Sequence, residues 1–162
     1  LVFLASLISP VAKFRLYVEP SKTEFFPDNP DRWNSISLRQ MQWNSGINGI
    51  KKYWPLGVGT GGTISALRQE YNKFNLGDFK RDYTSHNQYI ETSLEIGIAG
   101  LVVLLACYFI PMRMAILQRN KLLFSVILIM ILTSFTTCIL ERSRGIIFYM
   151  SFASVLMIKK DN

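Results

Sequence analysis

The chain has 162 residues, 49% of them hydrophobic, with 18 Lys+Arg against 11 Asp+Glu and a formal net charge of +7. That charge alone would suit nucleic acid, but the basic residues form no continuous run and long apolar segments separate them, which argues against a nucleic-acid module. Cys107 and Cys138 both sit in apolar runs without Cys or His partners at ligand spacing, which argues against a disulfide framework or a metal site.

Mean hydropathy is +0.21. The apolar residues concentrate after Glu91, whereas residues 13–91 read as ordinary polar sequence. This split predicts an all-α integral membrane protein with one large, partly helical loop outside the bilayer.

The first twelve residues are apolar, with no basic segment ahead of them and no small-residue cleavage site. They read as the outer end of a transmembrane helix that begins upstream, so the sequence is taken as the C-terminal part of a longer chain. In the loop over 13–91, Pro20, Pro27 and Pro30 with Asp28, Asn29 and Asp31 mark irregular backbone. Residues 33–54 then turn helical, because Ile36, Trp43, Ile47, Ile50 and Trp54 recur at helical spacing. Two placements fit this helix: along the membrane interface, or packed on the rest of the loop. Arg39 falls on its apolar stripe, where a guanidinium needs an anionic partner or a route to water. A structural ion pair and an anionic ligand both satisfy that need.

Gly57, Gly59 and Gly62 match G-x-G-x-x-G. No strand precedes them and no βαβ unit can be drawn, so a dinucleotide site is not supported. The reading is a tight turn whose backbone approaches another segment or a ligand closely. Further on, Ser85 and Gln88 fit a capping box, with His86 at the first helical position of an apolar helix. Amide groups and the positive helix end would converge there on phosphate and hold the imidazole neutral. A plain hydrogen-bonding role for His86 is the competing reading.

Three membrane spans are predicted, over 92–112, 122–140 and 145–158. Arg113, Arg119 and Lys121 in the 113–121 connection, and Lys159 and Lys160 in the 159–162 tail, place both on the cytoplasmic side. The loop over 13–91 and the 141–144 turn then face outward. Arg142 and Arg144 in that turn oppose the positive-inside rule; they read either as interfacial anchors or as groups that sense a lipid phosphate.

Taken in order, four stretches resemble one family. They are Ser37-Leu-Arg39-Gln-Met-Gln-Trp43, Trp54-Pro-Leu-Gly57-Val-Gly59-Thr-Gly61, Ser85-His86-Asn87-Gln88-Tyr89-Ile90-Glu91 and Glu95-Ile-Gly97-Ile-Ala-Gly100. Their order and spacing resemble the O-antigen ligase and O-antigen polymerase superfamily. The resemblance implies a polytopic GT-C-type glycosyltransferase of the bacterial inner membrane, with its large loop periplasmic and no metal or other cofactor. Its donor would be a glycan on undecaprenyl diphosphate, and its acceptor lipid A–core or another lipid-linked glycan. Surface polysaccharide biosynthesis would be its setting. Carried over by position, Arg39 engages the donor diphosphate and His86 is the essential histidine. Asn87, Gly57, Gly59, Arg142 and Arg144 are the expected substrate-binding positions. A further family arginine upstream of the loop has only Arg15 as a faint match. The alternative reading is a non-enzymatic transporter or assembly partner of the same fold; the uncharged centres of all three predicted spans weigh against a transport path.

Overall fold

The computed structural model describes residues 24–76 and 83–157. The expected span over 1–12, Arg15 and the 159–162 tail lie outside the described residues. The described residues are all-helical: α1 (Ser35–Tyr53), α2 (Thr63–Tyr71), α3 (Gln88–Leu117), α4 (Lys121–Ser134) and α5 (Ser143–Met157). Short 3-10 turns at Pro30–Arg32 and Ile139–Glu141 precede α1 and α5.

Asn34 starts α1. Its side chain accepts from the amides of Ile36 and Ser37, and the Ser37 hydroxyl accepts from the Asn34 amide in return. The face that α1 buries is not the apolar stripe read from its sequence. Ser37, Met41, Gln42, Ser45, Gly46 and Gly49 are buried, while Ile47 and Trp54 are exposed. Gly46 lies against Ile90 and Ser85, and Gly49 against Leu94, so small residues let α1 lie close beside the start of α3. Of the two placements open to this helix, packing on the rest of the loop is the one observed along this face. Trp33, Met41, Leu67, Tyr71, Leu76 and Leu94 form the core beneath it. Trp33 is therefore a core residue, and its Nε1–H donates to the Asn75 carbonyl at 2.8 Å.

α3 is one helix in sequence but two in geometry. Gly97, at φ 72° and ψ −155°, breaks it into segments over 88–96 and 98–117. A break in an apolar helix strands backbone donors and acceptors, which must find partners. The Pro55–Gly59 loop supplies them. Val58 N–H donates to Leu94 O at 2.8 Å, Gly59 N–H to Glu95 O at 2.9 Å, and Ile98 N–H to Pro55 O at 3.0 Å.

A second core, centred on Leu104, Tyr108, Leu123, Ile127, Met130 and Tyr149, joins α3, α4 and α5. Polar ties reinforce it: Tyr108 hydroxyl to Ser134 hydroxyl at 2.7 Å, Asn120 Nδ2 to Leu156 O at 2.9 Å, and Tyr149 hydroxyl to Cys107 O. Its outer surface exposes Val103, Phe109, Leu122, Ile129, Ile147 and Val155, the composition of a lipid-facing surface. Among the described residues only α3 is long and apolar enough to cross a bilayer by itself. α4 and α5 are apolar but shorter. α4 stops at Ser134, not at 140 as its hydropathy suggests, because Thr133, Ser134 and Thr136 hydroxyls bond local carbonyls and compete with the helical ladder.

Candidate functional site

His86 sits in an extended approach to α3, between the two cores. Its backbone is left-handed (φ 50°) and its side chain half-buried. The loop that carries it is pinned on both sides. Ser85 N–H donates to the Glu91 carboxylate at 2.6 Å, and Ser85 Oγ donates to Asn87 O at 3.0 Å. The Tyr83 ring lies 6.5 Å from the imidazole, centroid to centroid.

The expected capping box does not form. The N-cap is Asn87, whose Oδ1 accepts from the amides of Tyr89 at 3.0 Å and Ile90 at 3.2 Å. Gln88 instead reaches across to the 3-10 turn ahead of α5, where its Oε1 accepts from Leu140 N–H at 2.8 Å. His86 therefore precedes the cap and is not the first helical residue, and the cap itself occupies two of the amides expected to meet phosphate.

Neutrality of His86 still follows, from a different cause. Burial lowers its pKa from the ordinary 6.5, and the charges of Arg39 and then Arg142 lower it further. Arg39 comes from the exposed side of α1 and Arg142 from the turn leading into α5. The charges of two guanidinium groups, on elements far apart in sequence, thus act on one imidazole. A site with that charge favours an anionic ligand.

The other expected positions separate. Asn87 is buried, with both ends of its amide used: Oδ1 caps α3, and Nδ2 donates to Phe135 O at 3.3 Å. Gly59 N–H donates to Glu95 O of α3, whereas Gly57 N–H closes on Tyr53 O of α1. A Cβ at Gly57 would lie 2.7 Å from Gly97 N, whereas one at Gly59 would meet nothing within 4 Å. Arg144 is exposed, two residues beyond Arg142 at the start of α5. Gln42 was not legible as a candidate. It is buried on the face of α1 between Arg39 and Gly46, with its Oε1 unpaired among the described residues. The only local signal was a polar residue in a stripe of small ones.

Around the start of α3, one ligand atom each from Glu91, Cys138 and Glu141 lies within 4.8 Å of the others. Burial, with Glu141 and Glu91 nearby, pushes the Cys138 thiol up to about 12, and burial with Glu91 and Glu95 pushes Glu141 up to about 7. Cys138 and Glu141 thus hold their protons more firmly than the same groups do in water. A groove of about 470 Å³ opens beside them between α3 and α5, with Gln88, Thr92, Glu95 and Glu141 at its polar end and Leu104 and Tyr149 among its apolar walls.

No curated protein is similar enough to the chain to add to this description. A family model described as O-antigen ligase matches residues 1–105, which take in Arg39, the Pro55–Gly59 loop, His86 and the break at Gly97. Because the match covers well over half of the sequence, the chain belongs to the O-antigen ligase family, whose members are membrane proteins acting on lipid-linked glycans.

Proposed function

We propose that this protein transfers or polymerises undecaprenyl-diphosphate-linked glycan at the periplasmic face of the bacterial inner membrane. Arg39 and Arg142 would hold the donor diphosphate, and His86 would receive the acceptor proton. The observation that carries this reading is the family match over residues 1–105, which takes in both Arg39 and His86; the charges of Arg39 and Arg142 acting on His86 agree with it.

In this scheme the acceptor hydroxyl attacks the anomeric carbon of the donor sugar. The new glycosidic C–O bond forms as the C–O bond to the diphosphate breaks, and the lipid diphosphate leaves with the electron pair. Its added negative charge is met by two guanidinium forks, each able to bind in bidentate fashion. Preorganised donors at such a position are worth ~3–4 kcal/mol of barrier. The hydroxyl proton passes to the neutral imidazole, a transfer worth about 10²–10⁴-fold when well placed.

Two flanking cations make His86 a poor base in the empty site. A bound diphosphate reverses this, because its charge offsets both arginines and raises the imidazole pKa. The base therefore becomes competent only with the donor in place. The scheme uses no metal. Positive residues Arg113, Arg119 and Lys121 support a cytoplasmic position for the α3–α4 connection, and hence an outward position for His86 and the loop.

The test uses the full-length protein in its native membrane. Arg39→Ala and His86→Ala are each expected to abolish polymeric surface glycan while membrane insertion stays normal; unchanged glycan in both variants would refute the reading. Long chains left on undecaprenyl diphosphate would identify a ligase. Single repeats on lipid A–core would identify a polymerase.

A further inference from the structure

The Pro55–Gly59 loop is fixed against the outer end of the long apolar segment of α3. That segment, residues 98–117, is about 20 residues long, which at 1.5 Å per residue spans a hydrocarbon core of ~30 Å. The loop meets it at its first residue, through Pro55 O and Ile98 N–H. Backbone that is irregular at this depth is tolerated only where protein satisfies its polar groups, and the three hydrogen bonds across the break do so.

The side chains of the loop point away from this contact. Leu56 is 82% exposed and Trp54 58% exposed, and beside them Ile96 and Ile98 are exposed too. One turn back along α1, Lys51 and Lys52 are exposed. Bulky apolar groups with a tryptophan, next to lysines and level with the end of a span, are arranged for the hydrocarbon–headgroup boundary. In water the same loop would leave a leucine and a tryptophan exposed with nothing gained.

We propose that Trp54 and Leu56 insert into the outer leaflet as a lipid anchor, with Lys51 and Lys52 at the headgroups. The anchor holds the C-terminal end of α1 at the bilayer, and so sets the height of Arg39 above it. The inference rests on α3 being a membrane span.

The test reads nitroxide accessibility in the full-length protein, reconstituted into phosphatidylethanolamine/phosphatidylglycerol vesicles. Labels are placed through Leu56→Cys, Val103→Cys or Asn72→Cys in a Cys107→Ser background; Cys138 is buried. Val103 faces outward on α3, and Asn72 is an exposed polar residue at the end of α2. The label at 56 is expected to resemble that at 103, with a several-fold higher ratio of oxygen to nickel-chelate collisions than the label at 72. A label at 56 that behaves like the one at 72, while 103 stays oxygen-accessible, overturns the anchor alone. If 103 also behaves like 72, the membrane placement of α3 fails and takes the anchor with it.

Discussion

Gly57 and Gly97 lie back to back across the break in α3: a Cβ on Gly57 would press on Gly97 N, and one on Gly97 would collide with Pro55 O. Two glycine motifs separated in the sequence are therefore halves of one joint. It couples the helix that carries Arg39 to the helix whose approach carries His86.

Gly97→Ala should be far more damaging than Gly59→Ala. Gly97 occupies a backbone region that only glycine adopts readily, and it also has no room for a methyl group. The expected loss is about 3 kcal/mol or more. Gly59 has positive φ but open space, so only the conformational cost of about 1–2 kcal/mol remains. Thermal unfolding in mild detergent measures both, and equal losses would contradict the joint.

Arg142→Gln should shift the acid limb of the pH–activity profile upward. His86 works neutral, so kcat/KM, which reports the donor-free enzyme, holds at neutral pH and falls as pH drops through the donor-free pKa, which lies below 6.5. Removing one of the two cations lets that pKa rise, and the fall begins at higher pH. Imidazole NMR of the same variant reads the shift directly. An unchanged profile and an unchanged titration would separate Arg142 from the histidine.

Asn87→Ala should act on stability and not on donor binding. The variant loses the cap on α3 and the tie to Phe135 O, at about 1–2 kcal/mol for the cap alone. The KM for donor, measured on the folded fraction, is expected to stay near wild type. A raised KM at normal stability would support the substrate-binding role expected from the sequence.

Glu141→Gln should flatten the dependence of stability on pH. In the fold the Glu141 carboxyl titrates at about 7, against an ordinary 4.5. Between those values the unfolded chain is ionised while the folded one keeps its proton, so wild-type stability declines as pH rises from about 4.5 through about 7. Glutamine stays neutral in both states and removes that decline. The effect is modest, because the side chain reaches solvent and its charge is screened. Denaturation midpoints at two or three pH values decide it.

Local chemistry alone was enough to reveal the helical class, the polar loop ahead of the apolar segments, the approximate extent of α1, and Arg39 and His86 as candidates. Each of these rests on short-range signals: hydropathy averaged over a span, helical spacing, or a motif within a few residues. The outcome differed wherever two elements compete for a surface. α1 buries Ser37, Ser45, Gly46 and Gly49 because close approach to α3 matters more than hiding Ile47, and no periodicity of α1 alone contains that partner. Gly97 reads in sequence as one more glycine of a membrane helix; its break exists because the Pro55–Gly59 loop is there to satisfy the stranded backbone groups. The influence of Arg39 and Arg142 on His86 was likewise set by packing, since α1 and the turn before α5 are each held against α3 and are far apart in sequence.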